Sequence, residues 1–195
     1  MQTAELDALN RSQAVIHFTP DGTIIHANEN FLHAMGYSLA EIKGQHHRMF
    51  CDPNYAASND YAEFWRSLAR GKYSAAQFKR IAKSGAEIWI EASYNPILDS
   101  SGTVIGVVKY ATDITKQKLQ FADFQGQLAA IDRAQAVIHF NMDGTIIDAN
   151  QNFLSVMGYS LSEIVGKHHS MFAEPEYAKS PEYQDFWVRL NRGEC

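Results

Sequence analysis

Short apolar runs separated by turn residues open the chain, and their pattern predicts a hairpin followed by a helix. AVIHF and GTIIHA are rich in β-branched residues, and Asp21-Gly22 between them supplies the positive φ of a tight hairpin loop. Asn28 is a favourable N-cap for the apolar helical segment ENFLHAM, and Gly36 is a favourable C-cap. We therefore expect two paired strands and then a short helix.

The next segments predict two helices of unequal length. Ser38 and Glu41 match a capping box at the start of SLAEIKG, which is about one turn long and stops at Gly44. The segment from Asp60 to Ala69 predicts a longer helix. Its apolar residues recur at helical spacing and form one stripe that faces a core: Tyr61, Phe64, Trp65 and Leu68.

Three further strands are predicted from SAAQFKRIAK, AEIWIEASYNPIL and TVIGVVKYATDI, with Ser84-Gly85 and Ser101-Gly102 as the turns between them. The order β-β-α-α-α-β-β-β is typical of an α+β domain with an antiparallel sheet. The first hairpin must join the last three strands in one five-stranded sheet. The helices would then cover one face of the sheet and enclose a pocket.

Alternation along the AEIWIEASYNPIL strand predicts which side chains face that pocket. Ile88, Ile90 and Tyr94 share one face with period two, and Trp89 and Glu91 share the other. Because a glutamate belongs in water, the first set should point inward. Trp89 would then lie outward, beneath a flanking helix or a dimer partner; with the opposite alternation it would be a pocket residue.

The chain repeats itself with an offset of 122 residues, and 39 of the 61 positions from Arg11 to Gly71 are identical to their partners. A period of this length indicates duplicated domains rather than a solenoid of short repeats. The second copy ends at Cys195, the counterpart of Tyr73, and so lacks the last three strands. We expect a first module over 1–115, a helical linker over 116–131 and the N-terminal half of a second module over 132–195, within a fragment of a longer protein.

Composition narrows the classes of function. Apolar residues make up 46% and charged residues 20%, as in ordinary globular proteins, and the net charge of −5 with scattered lysines and arginines does not suggest nucleic-acid binding. No run of about 20 apolar residues or signal-peptide core is present. Cys51 and Cys195 suit a reduced protein better than a disulfide framework, so we expect a cytoplasmic location.

This order of elements resembles the PAS fold. The matching features are the Asp-Gly hairpin, the AN-NF-MGY segment, the break at Gly44, the NPI-D-G hairpin and the terminal Asp113-Ile114-Thr115. HHRMF, the EFW helix and VVKYATDIT look more narrowly like tandem PAS modules that precede methyl-accepting chemotaxis transducer domains, as in biofilm-dispersion and aerotaxis receptors. The resemblance implies a sensor module that binds a small molecule or cofactor.

Two departures from that family pattern affect the expected partners. The helical transducer domain is absent from this sequence, and the second module lacks its last three strands. A hairpin without a sheet is marginal in water, so the half-module should associate unless something completes it. The resemblance implies a homodimer or a receptor array assembled through the missing C-terminal transducer domain.

The linker is the candidate output element. Its apolar residues Phe121, Phe124, Leu128 and Ile131 follow a 3-4-3 spacing typical of a heptad seam. In similar PAS proteins this helix carries the signal, with the Asp and Thr of the DIT motif, here Asp113 and Thr115, tying strand to helix. The alternative is a surface helix packed on its own sheet, and Gly126 argues against a rigid uninterrupted helix.

Paired histidines recur in both copies, as His46-His47 and His168-His169. Imidazole is a common metal ligand, but adjacent side chains diverge and no HExxH or CxxC pattern accompanies them, so a zinc site is not expected. Haem needs a single axial ligand, and some similar PAS sensors use a histidine from this region. The preferred alternative is a solvent-facing pair that caps a short helix.

Flavin is the second cofactor that the resemblance allows, since aerotaxis-type modules bind FAD between helices and sheet. Without a cofactor the same residues would form an ordinary filled core. The candidate pocket residues are His46, His47, Met49, Phe50, Trp65, Leu68, Ile88, Ile90 and Tyr94. Their available counterparts in the second copy are His168, His169, Met171, Phe172 and Trp187.

No catalytic arrangement emerges from the sequence, so we expect a protein that signals by binding. The leading hypothesis is the sensory input module of a cytoplasmic chemotaxis-type receptor, holding haem b, FAD or another small ligand. A PAS dimerisation module with a filled core is the first alternative. The sensor fragment of a kinase or cyclase is the second.

Overall fold

The computed structural model describes residues 2–194, apart from the side chains of residues 2, 3 and 5–7. Met1 and Cys195, at the outer ends of the two predicted modules, lie outside the described residues. The chain divides into two compact units, with the division between Gln120 and Phe121.

Strands of the first unit follow the predicted order, and its helices are the three predicted ones and two that were not predicted, at Gln2–Ser12 and Pro53–Ala56. The strands are β1 (Ala14–Phe18), β2 (Ile24–Ala27), β3 (Ser74–Ile81), β4 (Glu87–Leu98) and β5 (Val104–Asp113). The helices are α1 (Gln2–Ser12), α2 (Glu29–Met35), α3 (Leu39–Ile42), α4 (Pro53–Ala56) and α5 (Asn59–Ala69), with a 3₁₀ turn at His47–Phe50.

The five strands form one antiparallel sheet in the order β2-β1-β5-β4-β3, which confirms the predicted α+β fold. The predicted caps are also confirmed. Asn28 accepts a hydrogen bond from the amide of Phe31 at 3.0 Å, and Gly36 ends α2 with a φ of 73°. Ser38 and Glu41 form the expected capping box at the start of α3.

The core lies between the sheet and the helical layer. The predicted alternation along β4 is confirmed, because Ile88, Ile90 and Tyr94 are buried whereas Glu91 is exposed. Trp89 is half-buried on the opposite side of the strand. Other buried members come from both layers: Ile16, Phe18, Phe31, Ile42, Phe50, Trp65, Leu68 and Val107.

The hairpin turn packs closely against α5, and Gly22 makes this contact feasible. Its φ is +94°, a conformation that favours glycine, and an added Cβ would lie 2.8 Å from Cε2 of Trp65 and 2.9 Å from Nε2 of His46. The β1–β2 turn therefore requires glycine for two reasons, the backbone angle and the approach of the indole.

A single helix, α6 (Thr115–Ala134), follows β5 and runs across the boundary between the units. The expected interruption at Gly126 is wrong, since the helix continues through it. One glycine costs a helix about 1 kcal/mol relative to alanine, which 20 residues of helical hydrogen bonding can tolerate. Throughout the described residues, no helix combines the length and apolar character needed to cross a membrane.

The second unit repeats the first half of the fold. Its elements are β6 (Ile138–Phe140), β7 (Ile146–Ala149), α7 (Gln151–Met157), α8 (Leu161–Ile164) and α9 (Pro181–Asn191), with 3₁₀ turns at His169–Phe172 and Tyr177–Lys179. Strands β6 and β7 form a two-stranded sheet. The buried core is correspondingly small and comprises Ile146, Ala149, Leu154 and Ile164.

Candidate functional site

His47 lies at the centre of the first module because backbone contacts hold its turn against the hairpin. Gly44, with a φ of +81°, reverses the chain after α3, and the amide of His47 then donates to the carbonyl of Gly22 at 2.9 Å. The His47 side chain is completely buried. The expected solvent-facing pair is therefore wrong for His47, whereas His46 stays at the edge and caps the 3₁₀ turn.

Both ring nitrogens of His47 contact tyrosine hydroxyls. Nδ1 lies 2.9 Å from the hydroxyl of Tyr61 on α5, and Nε2 lies 2.9 Å from the hydroxyl of Tyr94 on β4. Nη2 of Arg80, on β3, donates to the same Tyr94 oxygen at 3.1 Å. One imidazole thus bridges the helical layer and the sheet.

The hydrogen-bond partners select one tautomer for His47. Because the Tyr94 oxygen accepts from Arg80, its own proton is available to donate to Nε2 of His47. We therefore assign the neutral imidazole proton to Nδ1, which donates to the Tyr61 oxygen. With the opposite tautomer, the Tyr94 oxygen would accept twice and its proton would have no partner among the described contacts.

Beyond Tyr61, hydrogen bonds continue in the same donor-to-acceptor direction to the edge of the module. The Tyr61 hydroxyl lies 3.4 Å from Nδ1 of His46, and Nε2 of His46 lies 2.8 Å from the carbonyl oxygen of Asp21 in the hairpin turn. Nδ1 of His46 also accepts from the backbone amide of Arg48 at 3.2 Å. The chain of donors and acceptors therefore runs from β3 through the core to the first hairpin.

Burial and neighbouring charges keep these groups in their neutral forms. Burial, followed by the positive charges of Lys109 and Arg80, lowers the pKa of His47 well below its usual value. Burial also raises the pKa of Tyr94 to about 12. At neutral pH the bridge therefore consists of a neutral imidazole between two neutral phenols.

Two buried cationic side chains, Arg80 and Lys109, flank Tyr94. Arg80 is 3% exposed, and its guanidinium carbon lies 4.8 Å from the centre of the Phe78 ring. Lys109 is 1% exposed, with Nζ 5.1 Å from the centre of the Tyr94 ring and 5.5 Å from that of Phe31. In the described part of the chain, no carboxylate forms an ion pair with either of them.

The contacts of Arg80 and Lys109 with aromatic rings offset only part of the free-energy cost of burying these two side chains. Moving a charged side chain out of water costs several kcal/mol, whereas a desolvated cation–π contact contributes about 2 kcal/mol. Burial, reinforced by the adjacent Arg80 charge, accordingly lowers the pKa of Lys109 well below its usual value. Arg80 keeps its proton because a guanidinium does not lose it in proteins. The first module thus has an electropositive interior.

The structure does not fit axial ligation of haem by either histidine. Both nitrogens of His47 are engaged with tyrosine hydroxyls, and both nitrogens of His46 have hydrogen-bond partners on the hairpin and its own turn. An iron ligand needs a free nitrogen lone pair. Binding haem would therefore require the bridge to open.

A flavin does not fit this interior either. The rings that would line its pocket contact one another, with centroid distances of 4.9 Å between Phe64 and Tyr94 and 5.4 Å between Phe18 and Trp65. A tricyclic ring system would have to separate these pairs. The interior as it stands suits at most a small ligand.

The predicted pocket residues of the first module come together, with two exceptions. Phe50, Trp65, Leu68, Ile88, Ile90 and Tyr94 are buried around His47, whereas Met49 and His46 are only half-buried. Sequence reasoning missed Arg80, Lys109 and the site role of Tyr61. Alternation could have placed Lys109 inward, because Val107 and Ala111 lie two residues away on the same face of β5.

The second unit keeps half of the bridge. Nδ1 of His169 lies 3.0 Å from the hydroxyl of Tyr183, but no counterpart of Tyr94 is present in this chain. His168 is exposed, and Met171, Phe172 and Trp187 are half-buried. A cleft of about 260 Å³ opens beside His169, on the side that the sheet covers in the first copy. Its lining includes Phe140, His169, Phe186, Trp187 and Leu190.

The junction between β5 and α6 is held by the Asp113 and Thr115 side chains and by the main chain of Trp89 on β4. Asp113 accepts from the amide of Thr115 at 2.8 Å, and the Thr115 hydroxyl accepts from the amide of Trp89 at 2.9 Å. The Trp89 carbonyl accepts from the amide of Ile114 at 2.8 Å, and Nζ of Lys118 lies 5.1 Å from the indole centre. The first turn of α6 is thus attached to β4, the strand that carries Tyr94.

Comparisons of sequence agree with this architecture. The family profile described as the PAS fold matches residues 9–119 and 132–195. Over 187 residues the chain is 47% identical to the biofilm dispersion protein BdlA of Pseudomonas aeruginosa, covering 96% of this chain and 45% of that protein. It is 29% identical over 96 residues to the aerotaxis receptor of Escherichia coli, covering 49% of this chain and 19% of the receptor.

Comparison of structures supports the fold alone. The PAS domain of a protein from Colwellia psychrerythraea superimposes with a TM-score of 0.53 at 22% identity, covering 59% of this chain and 98% of that domain. The predicted resemblance to PAS modules of chemotaxis and biofilm-dispersion receptors is confirmed by the sequence matches. The chain spans less than half the length of these two curated relatives.

The lowered pKa of His47 predicts a loss of stability in mild acid. Below the ordinary histidine pKa of about 6.5 the unfolded chain takes up a proton that the folded chain excludes, so stability is complete above that pH and falls beneath it. Between pH 7.5 and 5 this histidine should account for a loss of up to about 2 kcal/mol in the free energy of unfolding. Urea titrations at several pH values measure it.

His47→Gln should flatten that pH dependence, and replacement of the exposed His33 by Gln is the matched control that should retain the wild-type slope. His17, His46 and His169 stay in both variants, so their contributions cancel in the comparison. Equal slopes in the wild-type chain and the His47→Gln variant would contradict a neutral, buried imidazole.

Proposed function

Since this chain belongs to the PAS fold family, we propose that its first module is the sensory input of a cytoplasmic chemotaxis-type receptor. It binds a small ligand in the interior and passes the signal through α6, without catalysing a reaction. The names of two relatives, a biofilm dispersion protein and an aerotaxis receptor, support this class of role.

The observation that carries the proposal is the polar bridge in the core. Buried polar networks are favourable only when every member has a partner, so a molecule that supplies or removes a partner changes the preferred arrangement. Here a single imidazole spans the space between α5 and β4. A ligand that binds Tyr94 or His47 would favour one arrangement of the bridge over another, and such differential affinity is what a sensor needs.

The output route follows from the position of Tyr94. It shares β4 with Trp89, whose amide and carbonyl hold Thr115 and Ile114. A displacement of β4 would therefore move the first turn of α6. This is a mechanical connection through main-chain hydrogen bonds, and a two-state change at the bridge would bias it.

The same proposal extends to the partners of the full-length receptor, on the basis of its similarity to these relatives. The chain spans 45% of the biofilm dispersion protein. The similarity to receptors of this class supports a homodimer or a receptor array assembled through a transducer domain of the proposed full-length protein. Residues 1–115 act as the sensor, 116–131 as the linker and 132–195 as part of a second module.

Thr115→Val tests the attachment of α6 to β4. Loss of the hydroxyl leaves the Trp89 amide without its acceptor, so amide hydrogen exchange in the first turn of α6 should become about tenfold faster. Exchange in β1 should not change. Mass spectrometry of the peptides that cover residues 86–120 measures the effect.

Thr112→Val is the matched control, because the Thr112 side chain is exposed near the end of β5, three residues before Thr115, and makes no hydrogen bond with a described residue. It should leave exchange in α6 as it is in the wild-type chain. If Thr115→Val also left the first turn of α6 unchanged, this route for the signal would be wrong.

A second candidate function, homodimerisation through α6, is favoured by its exposed apolar seam. Phe121, Phe124, Leu128 and Ile131 are 60%, 56%, 49% and 47% exposed. Their 3-4-3 spacing is self-complementary in a two-stranded coiled coil, so the occupant we propose is α6 of a second copy of the chain. An input module and a dimer contact are compatible roles for one helix.

Phe124→Lys should weaken this dimer, because a charge in the middle of a coiled-coil seam loses its favourable solvation. Sedimentation velocity should show the wild-type chain as a dimer at tens of micromolar and the variant shifted toward the monomer. Val156→Lys, a similar change at an exposed site on α7, is the control and should remain dimeric. If the wild-type chain sediments as a monomer, the proposed dimer is wrong.

A further inference from the structure

We propose that the inner face of β3, β4 and β5 is a binding site for the carboxylate of a small organic acid, held by Arg80 and Lys109 on either side of Tyr94. This inference rests on the proposed sensory function and assigns a chemical class to its ligand. Nothing in the family match or the relatives' names specifies that class.

Three adjacent strands converge on the site. Arg80 comes from β3, Tyr94 from β4 and Lys109 from β5, with Tyr94 and Lys109 directly paired in the β4–β5 register. Arg80 donates to the Tyr94 hydroxyl at 3.1 Å, and the ammonium of Lys109 lies over the Tyr94 ring. All three side chains are at most 3% exposed. Arg80 contacts the Tyr94 hydroxyl and the Phe78 ring, whereas Lys109 lies over the rings of Tyr94 and Phe31.

The hydrogen bonds of this cluster leave donors to spare. Nε of Arg80 is buried and has no acceptor within the described structure, while Nη1 donates to the carbonyl of Lys79 at 2.7 Å. The described contacts of Lys109 Nζ are with ring faces. By contrast, the surface cations Arg66 and Lys79 each pair with a glutamate. Arg80 therefore has a spare donor and an unpaired positive charge that an incoming anion would satisfy, and the same anion would favour the protonated form of Lys109.

A carboxylate on a small apolar body matches these surroundings. Guanidinium groups bind carboxylates through paired hydrogen bonds, and an ammonium adds a point charge. The walls beside the cations are the rings of Phe31, Phe78 and Tyr94, which would contact an apolar substituent. The close ring packing that excludes a flavin restricts the ligand to a short chain or one small ring.

The test compares acids with their neutral amides on the full chain. Thermal unfolding and calorimetric titration are measured with acetate, propionate and benzoate against acetamide, propionamide and benzamide, at constant ionic strength set with NaCl. At least one acid should raise the melting temperature and bind, and its amide should not. Lys109→Met and Arg80→Met, which keep an unbranched apolar side chain but remove the charge, should each weaken that binding about tenfold or more.

Three results would overturn the assignment: no acid of the series binding above the NaCl control, an amide binding as tightly as its acid, or undiminished acid binding in both variants. The acid-against-amide comparison needs no variant, so it decides the question even if a substitution prevents folding.

Failure of the acid class is distinguishable from failure of the sensory role. Native mass spectrometry of the purified chain and hydrogen exchange in the first turn of α6 are recorded on the same samples. A neutral bound molecule that alters exchange in α6 would overturn the carboxylate and leave the sensory function standing. If no ligand of any class binds and exchange in α6 never changes, both proposals are wrong.

Discussion

The arrangement of the first module depends on one buried imidazole with two phenolic partners. His47 reaches the helical layer through Tyr61 and the sheet through Tyr94, and the backbone of its own turn is tied to the β1–β2 hairpin. Each ring nitrogen must have a partner, because an unsatisfied polar atom in this interior costs about 1–3 kcal/mol. This requirement limits the ways in which the helices, the sheet and the hairpin can pack together. The same contacts place Arg80 and Lys109 beside Tyr94.

Comparison of the two copies shows which parts of the bridge form in the half-module alone and which require the complete sheet. The second copy repeats the histidine, its tyrosine and the tryptophan against a hairpin glycine, and its His169–Tyr183 contact is 3.0 Å long. Strand β4 has no counterpart there, so His169 is half-buried where His47 is fully buried. Burial of the imidazole, and with it the marked lowering of its pKa, comes from the sheet rather than from the HHxMF segment.

Much of the fold followed from local chemistry in the sequence. The Asp-Gly turn, the Asn28 and Gly36 caps and the alternation along β4 each have a local physical cause, and the structure has them as predicted. The site was less accessible. His47 was expected at the surface because its burial depends on Tyr94, which lies 47 residues later and meets it only through the packing of helix on sheet. Arg80 and Lys109 were missed because charged residues are rarely buried. The alternation of side chains along β5 would nevertheless have placed Lys109 on the inner face.

A double-mutant cycle between Tyr61→Phe and Tyr94→Phe tests the bridge most directly. The two hydroxyls lie on different elements and share one ring, so each should depend on the imidazole orientation that the other maintains. Urea unfolding at pH 7.5 should show that the double variant loses less stability than the sum of the single losses, by about 1 kcal/mol. Losses that add to within about 0.3 kcal/mol would show that His47 does not couple the helical layer to the sheet.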